Sequence, residues 1–152
     1  PLKEQLMAEA KEDNLNKVYF FDKTNKEMVG TFLKHADLLV NHWLGGNSIY
    51  RYGVSPNKWI DYMQSSKPIL VALDGYYSVI NEAGCGTFIQ ADHPELMAEE
   101  ILRFSKMNKT ELKQMGEKGK AYLLNNLTYD VLTKKYLNII DDLYSSNGFT
   151  KE

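Results

Sequence analysis

The chain has 152 residues, of which 43% are hydrophobic and 25% charged, and this composition is typical of one globular domain over residues 1–152. Its 18 basic and 20 acidic residues are mixed along the sequence and give a formal net charge of −2, which argues against nucleic-acid binding. No apolar run approaches the roughly 18 residues that span a bilayer, and the amino terminus is not typical of a signal peptide. We therefore expect a cytoplasmic protein without a transmembrane segment.

A single cysteine excludes an internal disulfide framework. The cysteine and the histidines also show no spacing typical of a metal site. The single Cys85 lies between two glycines and is more typical of a small packed residue than of a nucleophile. The three histidines are scattered along the chain. We expect no metal and no other cofactor.

The first ten residues predict an amphipathic helix. Its apolar stripe consists of Leu2, Leu6, Met7 and Ala10. The sequence begins at Pro1 rather than at a methionine, and this helix follows at once. We interpret the chain as a fragment of a longer protein.

Four short apolar runs predict strands, at residues 18–21, 38–40, 69–73 and 87–89. None of them alternates with polar residues, which is typical of parallel strands covered on both faces. Helical patterns separate the runs, at residues 27–35, 57–65 and 79–83. The order predicts an α/β fold over residues 1–92, with a Rossmann-like parallel sheet of about four strands flanked by helices.

Residues 93–145 show only helical patterns and predict a helical carboxyl-terminal segment. Three helices should begin there, near Pro94, Thr110 and Thr128. Asp92 and Glu95 are spaced as a capping box for the first of them. Gly116 and Gly119 interrupt the pattern of the second.

A possible phosphate-binding helix start follows Gly53. Ser55 is a favoured N-cap residue, and Pro56 suits the first helical position. The free N–H groups at about Asn57 and Lys58 would lie at the positive end of the helix dipole. An anionic group would be stabilised there, even before the charge of Lys58 is counted.

Asp61 lies three residues after Lys58 and should share its helix face. One helical turn of about 5 Å matches the span between a diphosphate and its ribose. A Lys–Asp pair at this spacing is usually a weak surface pair, and the spacing alone favours that interpretation. The apolar residues of the same stretch should face the core; they are Trp59, Ile60 and Met63.

Three loops should leave the strands at the carboxyl edge of the sheet, where ligands bind in open α/β folds. They span residues 22–24, 41–54 and 74–77. The second is long and carries Arg51, either a phosphate contact or a surface charge, and the third leads to a short helix that contains Glu82. We expect all three to face one crevice together with Ser55. No dinucleotide or phosphate-loop signature is present.

The run from Tyr50 to Met63, followed by residues 67–70 and 82–86, resembles the carboxyl-terminal half of GT-B glycosyltransferases. It is most similar to family-4 enzymes of bacterial capsule and O-antigen synthesis. The similarity covers nearly the whole chain, but only residues 50–70 are fairly specific. The resemblance implies the donor-binding part of a two-domain enzyme that transfers a sugar from a nucleoside diphosphate to a growing surface glycan. Retention of the anomeric configuration is implied by the resemblance only.

The resemblance also assigns site residues. In that family the second acidic residue of a paired-glutamate motif holds the ribose, and Asp61 falls at its position. The first acidic residue would fall at Gly53, so backbone groups of Gly53, Val54 and Ser55 are expected to contact the sugar or the phosphate instead. Lys58 matches the family position near the diphosphate and is the expected catalytic residue.

Further candidates for donor binding follow from position alone. The base-binding loop of the family would fall at Asp22, Lys23 and Thr24, and the remaining candidates are Arg51, Asn57 and Glu82. The glycan or lipid-linked acceptor would bind to an amino-terminal half that this chain lacks. We therefore expect the fragment to be inactive alone and the longer enzyme to act in the cytoplasm, with peripheral association at the inner face of the membrane.

Two strands that begin the nucleotide-binding half of the family are absent here. We expect the shortened sheet either to pair the strand at Val18 with the one at Leu38, or to borrow an edge from another copy in a homodimer. A Val18 segment outside any sheet would refute both.

Two other functions remain open at this point. A GT-B sugar-nucleotide epimerase would need catalytic carboxylates and a histidine in the crevice, for which Glu82 and His42 are poor candidates. A non-catalytic, receiver-like interaction module would need an acidic cluster at the end of the first strand, where only Asp22 is found.

Overall fold

The computed structural model describes residues 2–46, 48–52, 54–74 and 79–146. Seven helices are found in these ranges: α1 Leu2–Glu12, α2 Lys26–Lys34, α3 Asn57–Gln64, α4 Val79–Ala83, α5 Pro94–Lys106, α6 Lys109–Asn126 and α7 Tyr129–Ser146. The three strands are β1 Leu39–His42, β2 Ile69–Ala72 and β3 Gly86–Ile89, and a 3₁₀ turn spans Ser48–Tyr52. None of the described helices combines the length and the apolarity that a bilayer span requires.

The strands form one parallel sheet in the order β1-β2-β3. Leu39 pairs with Ile69, and Ile69 pairs with Gly86. All four residues of the central strand β2 are buried, as expected for a strand without alternation. The predicted α/β fold with a parallel sheet flanked by helices is therefore confirmed.

The predicted fourth strand, at residues 18–21, is wrong. Val18, Tyr19 and Phe21 lie outside the sheet and are exposed, and the Phe21 ring instead packs edge-on against Phe32 of α2 at 5.3 Å. An apolar run becomes a strand only where a neighbouring strand pairs its backbone, and among the described residues β1 pairs only with β2. This arrangement refutes the predicted pairing with Leu38 and leaves the Val18 segment outside the sheet of its own chain. The homodimer through a borrowed edge stays a prediction.

The larger core lies on the face of the sheet that α3, α4 and α6 cover. It consists of Trp59, Met63, Ile69, Val71, Leu73, Ile80, Cys85 and Leu123. The predicted core positions Trp59 and Met63 are confirmed, whereas Ile60 is exposed. Helix α5 lies on the opposite face, where the Arg103 Nη2 donates to the Thr87 hydroxyl of β3 at 2.9 Å.

The two glycines of α6 allow a close approach rather than a break in the helix. A Cβ atom at Gly116 would lie 2.0 Å from the carbonyl oxygen of Ser66, and one at Gly119 would lie 2.9 Å from the Cβ of Cys85. The helix therefore runs unbroken across α3 and the start of β3. Cys85 is fully buried, as predicted, and burial raises its pKa to about 11.

Two predicted helix caps are wrong. Pro56 is extended (φ −70°, ψ 134°) and is itself the N-cap residue of α3, so the side chain of Ser55 lies one residue too early to cap the helix. Asp92 does not cap α5, because the N-cap residue of that helix is His93. The Asp92 carboxylate instead accepts a hydrogen bond from Gly45 in the loop after β1. A complete capping box instead opens α6, between Asn108 and Glu111.

Candidate functional site

The amino end of α3 lies at the carboxyl edge of the sheet. In a parallel β1–α3–β2 unit the crossover helix begins on the side where the first strand ends. The backbone ladders continue past the strands at this edge, from Trp43 N to Ala72 O and from Leu73 N to Ile89 O, each at 3.0 Å. The edge is where open α/β folds bind ligands.

Within the part of the chain that the structure describes, no side chain caps this helix end. Pro56 has no hydrogen-bonding side chain, and its carbonyl oxygen accepts the N–H of Trp59 at 3.0 Å. The N–H groups of Asn57 and Lys58 have no partner among the described residues. Free N–H groups and the positive end of the dipole make this end a potential anion site.

Lys58 and Asp61 are both exposed, and neither forms an ion pair with any described residue. The predicted surface pair between them is therefore absent, and both side chains are available to a ligand. Between them, Trp59 is 1% exposed and fixes the orientation of the helix face. Burial raises the pKa of Tyr62, and the neighbouring charge of Asp61 raises it further.

Asn41 fixes α3 to β1, although nothing in the sequence analysis singled it out. This residue is buried, and its side-chain oxygen accepts the indole N–H of Trp59 at 2.9 Å and that of Trp43 at 2.8 Å. The signal was a polar residue in an apolar strand, since a buried amide must find partners.

Two aspartates also lie at this edge, and the sequence did not predict that they act together. Asp74 follows β2 and accepts the N–H groups of Gly46 and Ala91, both at 3.1 Å. Asp92 follows β3 and accepts the N–H of Gly45 at 2.9 Å. We call Asp74 and Asp92 the edge carboxylates.

The edge carboxylates join the loop after β1 to the loops after β2 and β3. Of the loops predicted to share one crevice, those after β1 and β2 are joined through Asp74 and Gly46. Residues 75–77 of the predicted loop lie outside the described residues. Asp74 directly follows an apolar run and Asp92 lies three residues after β3, but their glycine partners are 28 and 47 residues distant, so the sequence did not indicate the contacts.

The loop predicted at residues 22–24 lies elsewhere. Asp22 forms an ion pair of 2.5 Å with Lys3 of α1, and that hydrogen bond lowers the Asp22 pKa. Lys23 and Thr24 are exposed next to it. None of these three residues forms a hydrogen bond with the described part of α3 or of the carboxyl edge.

The remaining predicted residues have separate positions. Val54 packs against the core, and Ser55 and Asn57 are exposed before and at the start of α3. The carboxylate of Glu82 on α4 accepts a hydrogen bond from the Tyr122 hydroxyl of α6. Gly53 and the side chain of Arg51 lie outside the described residues.

No protein-family model, curated protein or solved structure matches this chain. Within the described ranges, no group of three His, Cys, Asp or Glu side chains is arranged to hold a metal ion.

Two adjoining cavities lie at the opposite, amino edge of the sheet. Their volumes are about 400 and 270 Å³, and both are lined by Asp37, Lys109 and Leu112. They are remote from the amino end of α3, because Asp37 precedes β1.

Proposed function

We propose that this chain is the donor-binding part of a GT-B glycosyltransferase, which transfers a sugar from a nucleoside diphosphate to a growing surface glycan. The observation that carries the proposal is the uncapped amino end of α3 at the carboxyl edge of the sheet, with Lys58 on its first turn unpaired among the described residues. The resemblance of residues 50–70 to this enzyme family supports the same site.

In this proposal the diphosphate of the donor binds at the amino end of α3. The N–H groups of Asn57 and Lys58 donate to it, and the Lys58 ammonium stabilises the negative charge that develops when the glycosidic bond breaks. Asp61 accepts hydrogen bonds from the ribose hydroxyls. A helix dipole and one lysine supply this stabilisation without a metal ion.

The longer enzyme would add an amino-terminal half that binds a glycan or a lipid-linked acceptor. Its reaction would take place in the cytoplasm, with peripheral association at the inner face of the membrane. The chain alone binds the donor but transfers no sugar, because the acceptor site belongs to the other half.

One contact favours a sugar-nucleotide epimerase as a second candidate. The His42 Nε2 lies 3.7 Å from the Asp92 Oδ1 at the carboxyl edge, which supplies a histidine and a carboxylate. The other carboxylate considered for this role, Glu82, is bonded to Tyr122. The glycosyltransferase has the stronger support, because its two principal side chains, Lys58 and Asp61, are free of such bonds.

Calorimetry with uridine diphosphate and guanosine diphosphate tests the proposal. We expect one of the two to bind to the chain with a 1:1 stoichiometry. Lys58→Ala should weaken binding, whereas Lys109→Ala at the opposite edge should leave it unchanged. Absence of binding to either nucleotide, or equal binding by the Lys58→Ala variant, would contradict the proposal.

A second experiment, on the longer enzyme, distinguishes an epimerase from a transferase with nucleoside-diphosphate sugars of the same two nucleotides. Incubation with nucleoside-diphosphate sugar but no acceptor should leave the sugar configuration unchanged. Appearance of the epimeric sugar nucleotide would favour the second candidate.

A further inference from the structure

The loop after β1 is fixed at the carboxyl edge by hydrogen bonds to the edge carboxylates, Asp74 and Asp92. Asp92 accepts the N–H of Gly45, while Asp74 accepts the N–H groups of Gly46 and Ala91. The turn at Gly45 and Gly46 is therefore connected to the segments that follow β2 and β3. Backbone donors that bond to carboxylates form the stronger class of hydrogen bonds.

This arrangement requires glycine in the turn. A Cβ atom at Gly45 would lie 2.6 Å from an Asp92 carboxylate oxygen and 2.7 Å from one of Asp74. Gly46 has φ +75° and Asp92 has φ +56°, which are left-handed conformations that glycine and aspartate adopt more readily than most residues. The turn thus has glycine where a side chain would clash, and Asp92 is a residue type that tolerates its left-handed backbone.

The fixed turn begins the loop that ends at α3. Upstream of it, Trp43 is bonded to Asn41, and the Trp43 ring packs edge-on against Tyr50 at 5.2 Å. Downstream, Val54 packs against the core two residues before Pro56. The edge carboxylates fix Gly45 and Gly46, which lie between these two anchors.

We propose that Asp74 and Asp92 are positioning residues for the donor site: they fix the turn at Gly45 and Gly46, at the start of the loop that leads to the amino end of α3, where the diphosphate binds. The inference rests on the proposed function of that site. It assigns the two carboxylates to the protein backbone rather than to a ligand, since each accepts at least one backbone N–H.

Substitution of Asp92 separates positioning from electrostatics. Removal of a carboxylate near an anionic ligand should strengthen binding if charge alone matters. Asp92→Ala removes both the charge and the bond to Gly45, whereas Asp92→Asn removes the charge but keeps an oxygen that can accept the same N–H. Positioning predicts that the two variants change affinity in opposite directions or that only the alanine variant weakens it.

The test measures binding of the nucleoside diphosphate that the wild-type chain prefers, together with amide hydrogen exchange. In Asp92→Ala we expect binding about tenfold weaker and exchange of Gly45 about tenfold faster, because a charge-assisted hydrogen bond is lost. Exchange of Leu70 and Val71 in β2 should not change. Asp92→Asn should bind at least as tightly as the wild type.

Two further variants keep the test independent of one substitution. Gly45→Ala leaves the charge intact but should displace the turn and weaken binding, and Asp13→Ala is the matched control at an exposed carboxylate outside the edge. Wild-type affinity in both Asp92→Ala and Gly45→Ala would overturn the positioning role and leave the proposed function standing. If the wild-type chain binds no nucleoside diphosphate, the proposed function fails and the positioning role fails with it.

Discussion

The side-chain oxygen of Asn41 accepts the indole N–H of Trp59 at 2.9 Å, and this bond joins the strand before the candidate site to the helix that forms it. The same oxygen accepts the indole N–H of Trp43 at 2.8 Å. One buried amide thus satisfies two aromatic donors on either side of the loop after β1. The position of α3 depends on it.

Asn41→Leu should destabilise the protein. The substitution leaves the Trp59 N–H buried without an acceptor, and an unsatisfied buried donor costs about 1–3 kcal/mol. Urea unfolding followed by tryptophan fluorescence measures the loss. Trp43→Phe is the control, because it removes one donor but leaves the Asn41–Trp59 bond. Its loss in free energy of unfolding should be smaller than that of Asn41→Leu. A wild-type free energy of unfolding for Asn41→Leu would show that the bond is unimportant.

Gly116→Ala should destabilise the protein, although alanine favours a helix over glycine. Its Cβ would lie 2.0 Å from the carbonyl oxygen of Ser66, so α6 would have to move away from the backbone before β2. We expect a loss of about 3 kcal/mol, the upper part of the range for overpacking. Thermal or urea unfolding measures it.

Gly30→Ala in α2 is the matched control for that substitution. A Cβ at Gly30 has no atom within 4 Å, so only helix propensity changes. We expect a gain of about 0.5–1 kcal/mol. Equal effects of the two substitutions would contradict the close packing of α6.

Under the proposed function, Lys58→Ala and Asp61→Asn should affect the proposed two-domain transferase in different ways. Lys58→Ala should lower turnover by about 10- to 100-fold, because a hydrogen bond to a charged group contributes about 1.5–3 kcal/mol. Asp61→Asn should mainly weaken donor binding, since it alters the ribose contact. Steady-state kinetics with varied donor concentration separate kcat from KM. Wild-type turnover in Lys58→Ala would count against its catalytic role.

Cys85 should react slowly with thiol reagents in the folded protein. Burial raises its pKa to about 11, so the nucleophilic thiolate is scarce at pH 8. Labelling with a disulfide reagent should become fast only in denaturant. Rapid labelling of the folded chain would show that the thiol is accessible.

The same raised pKa predicts a loss of stability in alkaline solution. Between the ordinary thiol pKa of about 8.5 and about 11, the unfolded chain releases the Cys85 proton while the folded chain keeps it. The unfolded state is then favoured as the pH rises. The difference in free energy of unfolding between wild type and Cys85→Ala should therefore shrink over this window. Comparing the two proteins cancels the titration of lysines and tyrosines, which both contain.

Local patterns predicted the elements whose neighbours lie close in sequence. The run at residues 69–73 became the central strand β2, and the pattern at residues 57–65 became α3, since each has a periodicity that packing preserves. The run at residues 18–21 has the same apolar character but no strand beside it. Periodicity indicates what a segment can bury, not whether a partner is present.

The candidate site shows the same division. Lys58 and Asp61 could be placed on one helix face from their spacing alone. The bonds between Asp92 and Gly45 and between Asp74 and Gly46 join residues far apart in sequence. The capping box predicted for Asp92 failed because His93 is the N-cap residue of α5, one position later than that box requires. Ser55 failed as a cap because Pro56 stays extended.

Helices α1 and α7 contain no buried residue. Both tryptophans lie near the sheet instead, one in the loop after β1 and one in α3. Far-ultraviolet circular dichroism therefore reports the whole helical content, whereas fluorescence reports only the surroundings of the sheet. Since segments that bury little open at low free energy, the ellipticity should decline before the emission changes. A mismatch between these two melting curves would reflect the separate loosening of the chain's outer helices, with the interior still intact.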